Sequence, residues 1–183
     1  MPQDNRIDIL SCVKDFSVVQ LSETDDLTTF SNEYKDYTTF LSENARLLDN
    51  AGITKTYLVK KDNKICAYFS ILAGSVEMNN RIKALFPHKK YPNYADKAGT
   101  LHIHHLAGDK NFCMKYKHII LFCKNYIRTM IINHMMKFLN ISFISLDADI
   151  NNDEEVEIKY QKAGFQTVGQ DFELPLMIAP VFD

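Results

Sequence analysis

Histidines and aspartates dominate the chemistry this chain could carry. His102, His104 and His105 sit together in the run Leu101–Ala107, LHIHHLA. Residues two apart share one face of a strand, so His102 and His104 are placed to chelate. No third ligand is visible, and the stronger reading assigns no metal. In that reading one or two histidines line a cleft, where a neutral imidazole takes a proton from an ammonium. His105 is the candidate base. Asp147 and Asp149 follow the apolar run Ile141–Leu146. They suit either a cationic amine or the capping of a following helix. Glu23, Asp25, Asp26, Glu33, Asp36, Glu43 and Asp49 face only Lys35 and Arg46 in their segment. They form either a solvated helix surface or an acidic wall that favours a cationic acceptor over a phosphate-rich one.

The elements that must hold these groups follow from periodicity. Phe16–Leu21 suits a first strand. Leu27, Phe30, Tyr34, Tyr37, Leu41, Ala45 and Leu48 recur at helical steps, with Ser22 or Thr24 as cap and Asn50-Ala51-Gly52 as terminator. Lys55–Lys60 and Ile65–Leu72 flank a short Asp-Asn turn and predict a hairpin, closed by Ala73-Gly74-Ser75. Residues 79–98 read as an irregular insertion with room for one short helix. Leu101–Ala107 predicts a strand, Lys115–Asn140 a long helix, and Ile141–Leu146 a central strand covered on both faces. Asp153–Ala163 predicts a helix ended by Gly164. Leu176–Phe182 predicts a last strand, placed at a sheet edge by Pro175 and Pro180. The order is β-αα-β-β-β-α-β-α-β-β, an α+β chain with one strand–helix–strand crossover in a mostly antiparallel sheet.

At 183 residues, with 46% apolar and 24% charged content, residues 1–183 fit a single domain with a full core. The opening MPQDNRIDIL lacks the apolar centre of a secretion signal, and no apolar run spans a bilayer. Cys12, Cys66, Cys113 and Cys123 form no CxxC pair and are expected as free thiols in a cytoplasmic chain. A net charge of −2 gives no global field for nucleic acid.

This order of elements resembles the GNAT superfamily of acetyl-CoA-dependent N-acetyltransferases, from Phe16 to Phe182. Thr54–Val76 (TKTYLVKKDNKICAYFSILAGSV) looks like the second and third strands of the branch that includes tRNA-acetylating toxins. Leu101–Lys110 (LHIHHLAGDK) resembles the family's fourth strand, and Ile158–Phe165 (IKYQKAGF) its Phe-Tyr-x-x-x-Gly-Phe element. The resemblance implies a GNAT-like sheet whose fourth and fifth strands splay apart around pantetheine. It places Leu106, Ala107 and Gly108 beside the thioester, where backbone N–H groups hold an oxyanion. It also implies that Tyr160 protonates the departing thiolate. A phenol pKa of about 10 against a thiol of about 8.5 makes that transfer nearly matched. A ring packed in the core is the plainer reading of the same tyrosine.

Two departures stand out. The family's pyrophosphate loop carries small residues where this chain has Tyr116 and His118, within Cys113, Met114, Lys115, Tyr116, Lys117 and His118. Small residues let backbone N–H groups close on phosphate at a helix N-terminus. Lys115, Lys117 and His118 offer charge in their place. The family's Asn seven residues before the tyrosine is Asp153 here, with Asn152 adjacent, and its Phe is Lys159.

The resulting expectation is a transferase that moves an acetyl group from acetyl-CoA to a small-molecule or peptide amine. The second expectation is a binding or regulatory protein of the same fold that no longer takes CoA. A toxin acting on aminoacyl-tRNA is a weaker third, because the acidic helices argue against nucleic acid. A homodimer is compatible with all three.

Overall fold

A computed structural model of the chain describes residues 16–86, 96–112, 116–171 and 174–182. The first hairpin follows from its turn: Asp62 and Asn63 both adopt positive φ, 49° and 62°, and join β2 (Lys55–Lys61) to β3 (Lys64–Glu77). Asp and Asn tolerate that geometry, and its twist matches the strands it connects. β1 (Ser17–Gln20) pairs antiparallel with β2. β4 (Lys97–Gly108), β5 (Phe143–Asp147), β6 (Gln166–Asp171) and β7 (Leu174–Pro180) complete a seven-stranded sheet in the order β1-β2-β3-β4-β5-β7-β6. Among the described residues only β4 and β5 pair in parallel.

The sheet is covered on both faces. α4 (Tyr116–Asn133) lays Ile119, Ile120, Cys123, Ile127 and Ile131 against Phe69, Ile71, Leu101, Ile103 and Leu106. At about 1.5–3 kcal/mol per fully buried aliphatic side chain, that stripe anchors the crossover. α5 (Val156–Lys162) adds Val156 and Tyr160 to the same cluster. On the opposite face Phe30, Phe40 and Leu41 pack on Leu58, Ile65, Tyr68 and Ala107. Phe40 and Leu41 belong to a π-helical turn, Phe40–Asn44, between α1 (Lys35–Thr39) and α2 (Ala45–Asn50).

Several sequence expectations are corrected. Residues 22–34 are not helical. The Asp25 carboxylate accepts from the Ser22 N–H and hydroxyl, and Asp26 from the Thr28 N–H and hydroxyl. These local bonds hold turns in place of a first helical turn. β3 does not close at Gly74 but runs on to Glu77, paired with β4 down to Lys97. A Cβ on Gly74 would lie 2.9 Å from Thr100 Oγ1. The glycine therefore serves a close cross-strand approach rather than a turn. α3 (Asn80–Leu85), capped by the Asn79 side chain, follows directly. The long helix stops at Asn133. A 3₁₀ turn (Met135–Lys137) follows, and Phe138, placed in the core stripe by periodicity, is 85% exposed. β7 is internal, between β5 and β6. Its prolines fall at its second and last residues, Pro175 opposite Gln170 and Pro180 opposite Phe143, near the ends of the two ladders.

Candidate active site

The site begins with a break in pairing. Between β3 and β4 the partners step from Ser70↔His105 to Ile71↔Ile103, which leaves His104 as the extra residue of a β-bulge. A bulge bends and twists its strand. β4 meets β5 from Thr100↔Phe143 to Ile103↔Leu146, and there the pairing ends. From His104 to Gly108, β4 diverges from β5, and the opening becomes two cavities of about 290 Å³ each. They meet at Tyr37, Leu106, Asp149 and Asn152, which line both.

The first cavity runs along the Leu106-Ala107-Gly108 main chain toward Asn32, Lys110 and Lys159. Its wall is knitted across distant parts of the chain. Asn32 Nδ2 donates to the Gly108 carbonyl at 2.8 Å, and the Ser31 N–H donates to Asp109 Oδ2 at 2.8 Å. Asp109 is 9% exposed and also accepts from the Asn111 N–H. The Lys110 N–H bonds the Ser31 carbonyl, and the Phe112 N–H bonds the Asp109 carbonyl. The amides of 110–112 are thus all engaged within the protein. A Cβ on Gly108 would stand 2.5 Å from Ile119 Cδ1, so this glycine lets α4 close on β4. Asp153, a misplaced negative charge by sequence, is matched by the Lys159 ammonium, which stands where the family has Phe.

The second cavity holds Asp36, Asp147 and Asp149 with His102, His104, His105 and Tyr160. The bulge turns all three histidines toward it. His102 Nδ1 lies 3.1 Å from Ser145 Oγ, and its Nε2 lies 3.6 Å from Asp147 Oδ2. His105 stacks on Phe40 with centroids 3.6 Å apart, and its Nδ1 lies 2.6 Å from that of His104. Burial, reinforced by the neighbouring His104, pushes the His105 pKa down to about 3, against a smaller opposing pull from Asp149. Burial and His102 lower that of His104. Among the described residues no group of three His, Cys, Asp or Glu is arranged to hold a metal.

Where the cavities meet, the Tyr37 hydroxyl donates to Asp149 Oδ2 at 2.9 Å, and Asn152 Nδ2 donates to the same oxygen at 2.7 Å. The Tyr37 carbonyl accepts from the Tyr68 hydroxyl at 2.8 Å. Tyr160 is 6% exposed, with its ring edge-on to Phe165 at 5.7 Å, and lines the second cavity beside Leu106. Tyr160 is thus a core residue that also lines the cavity.

The structure brings together Tyr160, His105, Leu106, Ala107, Gly108 and Asn152 around the opening. His118 is half-buried on α4 and lines neither cavity. Tyr116 and Lys117 open α4, with side chains outside the described residues, and Lys115 lies outside them altogether. Tyr37, Asn32 and Lys110 carried no sequence signal for this site. Tyr37 reads from periodicity only as a helix face residue, and its partner is 112 positions away.

No family model and no curated protein matches the sequence. Solved structures do match the fold. A tyrosine-to-phenylalanine mutant of KacT aligns over 92% of this chain and 96% of its own, at a TM-score of 0.68 and 16% identity. AtaT complexed with acetyl-methionyl-tRNAfMet aligns over 91% and 95%, at 0.69 and 15%. AtaTR bound with AcCoA aligns over 91% and 94%, at 0.67 and 15%. Other similar structures are the AtaT toxin bound to the C-terminus of the antitoxin AtaR, and a KacTA–DNA complex. Among the described residues no helix is long and apolar enough to cross a membrane. With its splayed β4 and β5 inside a mostly antiparallel sheet, the chain shares the GNAT-like fold of these structures.

Proposed function

We propose that the chain is an acetyl-CoA-dependent N-acetyltransferase acting on an amine. One observation carries the reading: two cavities of equal size open from the β4–β5 divergence and touch at Leu106 and Asp149, with Tyr160 beside the junction. A transferase of two substrates needs such an arrangement. The first cavity fits the donor, since it follows strand backbone and ends near two lysines, Lys110 and Lys159. Its similarity in fold to AtaTR bound with AcCoA supports the same assignment.

Bound there, acetyl-CoA supplies an acetyl group activated as a thioester. The Leu106–Gly108 main chain orients it, Asn152 borders the reacting end, and Lys110 together with Lys159, which Asp153 shares, offsets phosphate charge. Tyr160 gives its phenolic proton to the departing thiolate. His105 has a positioning role, because an imidazole whose pKa is about 3 is a poor proton acceptor at neutral pH. The acceptor's proton leaves through the second cavity, past Asp149.

A second reading is a binding or regulatory module without CoA. The rings of Tyr116 and His118, where the related loop carries small residues, favour it. Thiol release from acetyl-CoA in the presence of simple amines separates the two. Amine-dependent release supports the transferase. No release, with no thermal stabilisation at millimolar acetyl-CoA, leaves the binding module, because saturation at 100 times Kd adds about 2.7 kcal/mol.

A further inference from the structure

Tyr160 belongs to the last turn of α5, and that turn is held from outside by the crossover helix. The Tyr160 carbonyl accepts from the Ala163 N–H at 2.9 Å and from the Phe165 N–H at 3.1 Å, while the Gly164 N–H donates to the Gln161 carbonyl. Gly164 takes a φ of 87°, so α5 closes in a Schellman turn. The ammonium of Lys124, on α4, donates to the Ala163 carbonyl. A Cβ on Gly164 would lie 3.0 Å from Lys124 Nζ, which places the ammonium against the turn itself. A cation there also complements the negative end of the helix. The same Nζ stands 5.8 Å from the centre of the Phe165 ring, and that ring meets Tyr160 edge-on at 5.7 Å. Lys124 is half-buried, and its neighbours Ile120, Cys123 and Ile127 are packed in the core, so its stem starts from a fixed point. It lines neither cavity.

We infer that Lys124 is a positioning residue for proton transfer by Tyr160. It grips the C-terminal turn of α5 and the Phe165 ring, and so fixes the phenol where the departing sulfur forms. This rests on the transferase reading and assigns a further residue to it. In the step served, the amine nitrogen bonds the acetyl carbon and releases its proton to water. The thioester C–S bond breaks, the sulfur takes the Tyr160 proton, and the phenolate regains one from water. A misplaced proton donor slows that step without loosening either substrate. Loss of the Lys124 ammonium therefore lowers kcat and spares KM.

Lys124→Met keeps a long stem and removes the charge and the hydrogen bond. Thiol release from acetyl-CoA is measured on the full chain with butylamine, putrescine and glycinamide, and the best of the three is kept. The substitution is expected to lower kcat about tenfold with both KM values unchanged. Made in Tyr160→Phe, it is expected to change kcat no further, because no phenolic proton is left to place. A general loss of structure would instead act in both backgrounds. Lys124→Arg restores a charged donor and should recover most of the rate. Should Lys124→Met fail to fold, as thermal unfolding would show, Lys124→Gln takes its place in the cycle. An unchanged kcat, an equal loss in both backgrounds, or a loss confined to KM overturns the inference and leaves the transferase reading standing. No thiol release by the parent chain with any of the three amines removes both.

Discussion

The two cavities that meet at Leu106 are equal in volume and differ in lining. The first is walled by strand backbone and carries Lys110 and Lys159 beside Glu33, Asp109, Asp149 and Asp153, with Lys159 paired to Asp153. The acceptor side carries Asp36, Asp147 and Asp149 with no described lysine or arginine. The bulge at His104 falls where the β4–β5 pairing ends, and the three histidines line the second cavity. The fold thus supplies the opening, and side chains from α1, the β5–α5 turn and α5 decide which charge each half attracts.

The junction offers the sharpest way to break this division. Tyr160→Phe keeps the ring against Phe165 and removes the hydroxyl. Turnover is expected to fall by about 10²–10⁴-fold with acetyl-CoA affinity unchanged, read by thiol release and calorimetry. An unaltered rate removes Tyr160 from proton transfer. On the donor side, Gly108→Ala drives a Cβ to 2.5 Å from Ile119 Cδ1. It should cost about 1–3 kcal/mol of stability, seen as a lower Tm. Adding Ile119→Val, which deletes that Cδ1, should recover part of the loss. No recovery would place the strain elsewhere.

A smaller effect sharpens the charge contrast. Lys159→Ala should weaken acetyl-CoA by about tenfold while leaving the acceptor KM in place, since Lys159 borders the donor cavity alone. Loss on the acceptor side instead would contradict the division. The smallest effect concerns pH. His105 has a folded pKa of about 3 against an ordinary value of 6.5, so the unfolded chain takes up a proton first as pH falls. The stability held by the neutral imidazole is complete above about pH 6.5 and declines as pH drops toward 3. Denaturant midpoints from pH 7.5 to 4.5 should fall less steeply in His105→Asn than in the parent chain. Parallel slopes would show that His105 does not titrate this way.

Much of this was legible from residue order. The continuous apolar run ending at Leu146 marked the central strand, and the stripe from Ile119 to Ile131 marked the crossover helix. The fold's identity followed from their sequence with Leu106–Gly108 and Tyr160. The misreadings share a physical cause: local patterns cannot report distant partners. Gly74 reads as a terminator until Thr100 is seen opposite it. Pro175 and Pro180 read as an edge until β6 pairs outside them. His102 and His104 read as a same-face pair in a regular strand, whereas a single bulged residue resets the alternation. Tyr37 gains its place at the site only through Asp149, and Asp153 loses its penalty only through Lys159.

Direct titration of acetyl-CoA into the chain, followed calorimetrically, tests the central claim that the β4–β5 opening is a donor site. Saturable binding at one site is expected, weaker for Lys159→Ala and unchanged for Tyr160→Phe. The absence of heat at millimolar acetyl-CoA, with no thermal stabilisation, would contradict it.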